Sequence, residues 1–212
     1  MAITEEGLRE RKKRQTRAAI AAAAMELFEQ HGFDAVTVAE VAEAADVSEK
    51  TVFNYFPTKE ELVFQGRAAR REELIEAVRT RPPGTSIVQP FRDWTMNHLD
   101  LIERQPVEET TAVPRLVMGS KTLRDRLLIG WEEEAHLLAP AISEGADEES
   151  ELVPLIVGRT LAWTHRMMFR AAFTRLLAGE DRKAVAADLR LQANRAYDLL
   201  EAGLAGYGVR DG

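Results

Sequence analysis

The chain has 212 residues, 30% of them charged and 45% hydrophobic, with a formal net charge of −7; this composition suits a globular fold of one large domain or two small ones. It has no cysteine, which excludes a disulfide framework and thiolate metal sites or nucleophiles, and no apolar run approaches the roughly 18 residues of a membrane span. The start, MAITEEGLRERKKR, has no signal-peptide core behind its cations, so a cytoplasmic protein without membrane attachment is expected.

Residues 1–15 read as a flexible basic arm. Arg9, Arg11, Lys12, Lys13, Arg14 and Arg17 crowd together, with Glu10 the one acid among them. A patch of this kind can hold phosphate, while the acidic remainder of the chain suppresses nonspecific association. Arg14 and Arg17 are therefore assigned to nucleic-acid contact. The first helix is predicted over Thr16 to His31, with Ile20, Ala24, Leu27 and Phe28 on one face and Gly32 as its stop. Phe33 and Val36 are expected to close the underside of a small core.

Two short helical patterns follow almost without a gap. Thr37 and Glu40 form a capping box that opens the first, whose apolar face is Val38, Val41, Ala42 and Ala45. Ser48 is a good N-cap for the second; Val52 and Phe56 are its apolar positions, and Pro57 ends it by disfavouring a helical conformation at Phe56. Thr58 with Glu61 reads as another capping box. Two helices joined by about three residues make a helix-turn-helix, and the second can enter a DNA major groove. Few of its residues are needed for the core, so Glu49, Lys50, Thr51, Asn54 and Tyr55 remain for an outward, reading face.

The run from Thr16 through LF at 27 and 28, HGF at 31 to 33, TV at 37 and 38, VAEAADVS at 41 to 48 and TVFNYFPTKEEL at 51 to 62 resembles the DNA-binding domain of the TetR family of transcriptional regulators. The resemblance implies that Ser48, Glu49, Lys50, Thr51, Phe53, Asn54 and Tyr55 face the major groove. It implies phosphate contacts from the start of the Thr37 helix, from Tyr55 and from Lys59. The position of Lys59 in the first turn of a helix supports its assignment independently, because free backbone N–H groups there favour an anion. Two positions depart from the family pattern: Asp46 stands where the family has Gly in the turn, and Phe53 where it often has Tyr. Asp tolerates a left-handed backbone better than most residues, so the turn is expected to survive.

Beyond the head, taken as residues 16–61, residues 62–212 are expected to form an all-helical body for ligand binding and dimerisation. From Thr58 the helical pattern runs unbroken to about Arg79, a helix of about 30 Å that would join head and body rigidly. PPG at 82 to 84 is the clearest break. Val88 to Arg104 follows, then a stretch from Glu108 to Gly119 that Pro114 should bend or break, then Lys121 to Leu138 and an acidic, mobile loop at 143 to 151. Leu152 to Leu177 is apolar around much of its circumference, which indicates more than one neighbour. From Asp181 to Leu204, Val185, Leu189, Gln192, Ala196, Leu199 and Gly203 recur at steps of four and three, the seam of a helix bundle, and are assigned to a twofold dimer interface.

The resembled family usually encloses a small-molecule pocket in its body. Trp94, His98, Met118, Trp131, Trp163 and Met167 are the candidates for its walls. Arg159, Arg166 and Arg170 stripe one side of their helix and either recognise an anionic group or pair with acids. His98, His136 and His165 lie on three helices without metal-binding spacing, so no metal is expected. No nucleophile is paired with a base and no glycine-rich loop follows a strand, so neither catalysis nor a cofactor is expected. The chain thus reads as a homodimeric regulator of an operator in double-stranded DNA, a repressor released by a small-molecule effector. An activator or ligand-independent regulator is the alternative, and an all-helical enzyme with an accessory DNA-binding head is a remoter one.

Overall fold

The computed structural model describes residues 7–144, 150–204 and 207. The acidic loop foreseen at 143 to 151 lies largely outside them. Every regular element among the described residues is helical: α1 Leu8–His31, α2 Val38–Ala44, α3 Glu49–Tyr55, α4 Lys59–Val63, α5 Arg67–Arg79, α6 Val88–Arg104, α7 Val107–Gly119, α8 Lys121–Ser143, α9 Leu152–Leu177 and α10 Arg182–Leu204. None is long and apolar enough to cross a membrane.

The chain forms two compact units. One, the head, comprises the chain up to Gly66 together with Arg115–Arg126; the other, the body, comprises Arg67–Pro114 and the chain from Leu127 onward. The head core is assembled from one face of each of its first four helices: Ile20, Ala24 and Phe28 of α1, Val41 and Ala42 of α2, Val52 of α3, and Leu62 and Val63 of α4, all buried with Phe33, Val36 and Phe56. Phe28 and Phe33 meet with ring centroids 5.1 Å apart.

The body holds two clusters. Leu74, Ile75 and Val78 of α5 pack with Phe91 of α6, Leu138 and Ile142 of α8, Val157 and Leu161 of α9, and Tyr197 of α10. Leu99 and Ile102 of α6 pack with Ala172 and Leu176 of α9 and with Val185 and Leu189 of α10. Gly158 lets α9 approach α8, since a Cβ there would come within 2.8 Å of Ile142 Cδ1.

Several expectations need correction. α1 begins at Leu8, so residues 8–15, read as a flexible arm, are helical. The helix expected from Thr58 to Arg79 is two helices, α4 and α5, separated at Gly66, whose φ is 75°. Its apolar pattern is continuous, but Leu62 and Val63 belong to the head core and Leu74, Ile75 and Val78 to the body core, and glycine takes the left-handed conformation between them without strain. Thr58 makes no capping bond from its side chain. Pro114 does not break α7, and α8 runs past Leu138 through Pro140 to Ser143.

Candidate nucleic-acid interface

The start of each helix of the helix-turn-helix is held by a bond its sequence supplies. At the start of α2 the Thr37 N–H donates to Glu40 Oε2 at 2.7 Å, and the Glu40 N–H donates back to the Thr37 hydroxyl at 3.2 Å. At the start of α3 the Thr51 N–H donates to Ser48 Oγ at 3.1 Å. Between the helices Asp46 takes a left-handed φ of 52°, as the turn requires. These bonds satisfy backbone donors that a helix start leaves open, and they fix α3 relative to α2.

The seven residues of α3 bury Val52 alone. Glu49, Lys50, Phe53 and Asn54 are exposed, as is Ser48, and Thr51 and Tyr55 are half-buried. Phe53 is 46% exposed, a large apolar ring on an otherwise polar face, and suits contact with a thymine methyl group. Lys50 and Asn54 carry the donors and acceptors that discriminate base edges.

Two of the expected phosphate contacts are otherwise occupied. The Thr37 hydroxyl and N–H both engage Glu40, whose carboxyl is held below the usual carboxylate range by those bonds. That carboxylate already takes the place of an anion at the α2 start. Lys59 is turned inward: its ammonium donates to the Phe33 carbonyl at 2.6 Å and stands 4.3 Å from the Phe33 ring centre. Burial pushes its pKa below the ordinary lysine value. Moreover, α4 has only five residues, so the dipole argument for an anion there loses its force. Lys59 is a structural cation of the head.

Arg17 is the residue whose role the sequence hid. Its guanidinium donates to the Tyr55 carbonyl at 2.7 Å and lies 4.3 Å over the Phe56 ring. A cation at the carboxyl end of α3 satisfies a terminal carbonyl. Arg17 thus contacts the end of the reading helix while its side chain stays exposed. The signal that marked it, a cation in a basic run, pointed only to phosphate. Arg14 is exposed on the same helix.

In the body, the six candidate pocket residues are not brought around one cavity. Trp94 and His98 of α6 pack with His165 and Phe169 of α9; the Trp94 and His165 rings stack at 3.9 Å, and those of His98 and His165 meet edge-on at 5.2 Å. Trp131 and Trp163 form a separate edge-on pair at 5.9 Å. Met118 is 66% exposed and lies within the segment that joins the head unit, and Trp163 and Met167 are exposed. Residues that line an enclosed pocket would be covered, so Met118, Trp163 and Met167 do not fit that role. Of the arginine stripe, Arg166 donates to buried Glu134 at 3.1 Å and Arg159 pairs with Glu132, so both are matched by acids of α8. His136 points its Nδ1 to its own helix at the Glu132 carbonyl, away from the other two histidines.

The predicted dimer seam also divides. Val185 and Leu189 are 0% and 1% exposed within the protomer, so they belong to its own core. Ala196 is half-buried, whereas Gln192, Leu199 and Gly203 are exposed. Among the outward apolar residues, Leu152, Ile156, Trp163 and Met167 form a stripe on α9 at 65%, 60%, 48% and 44% exposure; Leu191 and Leu199 face outward on α10, and Leu128, Ile129 and Leu137 on α8.

Residues 20–65 match the family model described as bacterial regulatory proteins, tetR family. The HTH-type transcriptional regulator TcmR of Streptomyces glaucescens is 30% identical over 176 residues, covering 80% of this chain and 78% of TcmR. Among solved structures, that of NalD, the secondary repressor of a multidrug efflux pump in Pseudomonas aeruginosa, aligns with a TM-score of 0.57 and 19% identity over 86% of this chain and 96% of NalD. The SmeT–triclosan complex aligns with a TM-score of 0.56 and 17% identity over 93% of each chain, a likeness of fold. The chain belongs to the TetR family and is a DNA-binding transcriptional regulator rather than an enzyme.

Proposed function

We propose that the protein is a cytoplasmic, homodimeric repressor that holds a roughly palindromic operator and is released from it by a small-molecule effector bound in the body. The observation that carries this reading is the pairing of an outward reading helix, α3, with an apolar stripe on α9 that the protomer itself leaves uncovered. Four large apolar side chains in line on one helix are an unusual surface for a monomer, and a second copy would cover them by twofold symmetry. Twofold pairing presents two copies of α3, and successive major grooves on one side of a duplex lie about 34–36 Å apart. The proteins it resembles support the rest: NalD is a repressor, and SmeT is seen with triclosan.

Release then works by geometry. An effector that favours a body arrangement in which the two heads no longer match successive grooves lowers operator occupancy. A hundredfold effect requires a preference of about 2.7 kcal/mol for the released state. Selection of duplexes from a random library tests the reading. The recovered sequences are expected to be inverted repeats with half-sites about one helical turn apart or a near multiple. Lys50→Ala or Asn54→Ala should each cost about 1–3 kcal/mol at one base position per half-site and relax the preference there. Recovery of sequences without symmetry contradicts the proposal.

A further inference from the structure

Two imidazoles stand together in the body, and their partners fix which nitrogen of each carries the proton. Thr95 has one hydroxyl hydrogen and donates it to the Phe91 carbonyl at 2.9 Å. His165 Nδ1, 2.9 Å from the same hydroxyl, is therefore an N–H that donates to it. His98 Nδ1 faces the Trp94 carbonyl at 2.8 Å, and a carbonyl only accepts, so His98 also carries its proton on Nδ1. In a neutral imidazole the other nitrogen is then a bare lone pair, and burial keeps both rings neutral by lowering their pKa. Neither Nε2 has a hydrogen-bond partner among the described residues, and neither is sealed from the surface.

The surroundings suit a flat, uncharged molecule. Trp94 stacks on His165 at 3.9 Å, and Phe169 lies against His165 at 4.4 Å. The His98 ring stands nearly perpendicular to all three, 4.8 Å from Trp94, 5.2 Å from His165 and 5.3 Å from Phe169. Trp94, His98 and Phe169 are half-buried, so the cluster opens outward from the buried His165. The charges acting on His98 are Arg70 and Glu73 of α5, one of each sign, and Arg166 beside His165 is paired with Glu134. Two acceptors without a donor, walled by aromatic rings, complement a ligand that brings the donor on an aromatic ring of its own.

We propose that His98 and His165 are an acceptor pair for the effector, and that the effector is an uncharged aromatic molecule whose phenolic hydroxyl donates to them, its ring beside those of Trp94 and Phe169. For its link to the operator this rests on the effector-release reading above.

The test titrates the full-length protein, by calorimetry, with β-naphthol and with β-naphthyl methyl ether, which has the same rings and no donor. The wild type is expected to bind β-naphthol at least about fivefold more tightly. His98→Phe keeps a ring and removes the acceptor; it should bring β-naphthol down to the level of the ether and leave the ether within about twofold. His98→Gln keeps an acceptor and should recover part of the difference. In nitrogen NMR spectra of the wild type, the unprotonated Nε2 signals should move upfield with β-naphthol and stay in place with the ether. Equal binding of the two compounds, binding of neither, or a preference that survives His98→Phe overturns the inference. A preference for β-naphthol without release of the selected palindrome keeps the acceptor pair and sinks the effector-release reading. Release by compounds without a donor, with no preference here, does the reverse.

Discussion

Glutamate at both Ile156 and Trp163 is expected to turn the dimer into monomers and to lower operator affinity by at least about a hundredfold. The two side chains are 60% and 48% exposed in the protomer and belong to one stripe of α9. In a twofold interface each occurs twice, and burying a large apolar side chain contributes roughly 1.5–3 kcal/mol, so the pair of substitutions removes on the order of 6 kcal/mol before the cost of burying carboxylates is added. A single head then binds alone, with the few base contacts that α3 offers. Sedimentation velocity and mobility shift on the selected palindrome read both effects. A control follows from the revised assignment: Val185→Glu, at a position that is 0% exposed, should unfold the protomer instead of splitting a folded dimer. A double variant that keeps the dimer mass removes this face of α9 from the interface.

Thr95→Val should destabilise the body by about 2–6 kcal/mol, although the side chain keeps its shape. The Thr95 hydroxyl is the hub of a buried network joining three helices. It donates to the Phe91 carbonyl at 2.9 Å, which leaves its two lone pairs to accept from His165 Nδ1–H of α9 at 2.9 Å and from the Tyr197 hydroxyl of α10 at 2.8 Å. Burial is the main cause raising the Tyr197 pKa to about 12, so Tyr197 stays a donor. Valine abandons two donors in residues that are 7% and 0% exposed, each at about 1–3 kcal/mol, whereas Thr95→Ser keeps the hydroxyl and should lose far less. A urea midpoint for Thr95→Val equal to that of the wild type rules out the network as a source of stability.

The same site sets a pH window. His165 is held well below its ordinary pKa, first by burial and then by the charges of His98 and Arg166, and burial also lowers His98. A histidine whose folded pKa is depressed contributes stability that is present above its unfolded pKa, near 6.5, and is lost as pH falls below that value. The contribution of His165 should fall by about 1.4 kcal/mol per pH unit there, and His165→Gln should remove that part of the slope.

Much of the head was legible because it is local. A capping box at Thr37, an N-cap at Ser48 and a residue at 46 that accepts a left-handed turn are satisfied within three or four positions of chain, and the structure contains each of them. α6 and α9 were legible for a similar reason, with Pro106 after one and a long apolar stretch in the other. What could not be read depends on distant partners. Lys59 reads as a phosphate contact from its place in a first helical turn, and only the fold brings its ammonium to Phe33, well before it in the chain; the bond from Arg17 to the end of α3 is equally invisible in the sequence. The seam on α10 misled in a different way. Val185 and Leu189 repeat with the same period as Leu199, but a period of apolar residues says only that a face is covered, and here the protomer covers the first two itself while leaving the third exposed. The break at Gly66 was hidden because the apolar stripe of one core continues into that of the next.

The mass of the complex on the selected palindrome, measured by sedimentation equilibrium at low salt, tests the central claim most directly. The account predicts two chains per duplex, bound together, with loss of both when either half-site is scrambled or the spacing is shifted by half a helical turn. One chain per duplex, or two that bind independently of spacing, would contradict it.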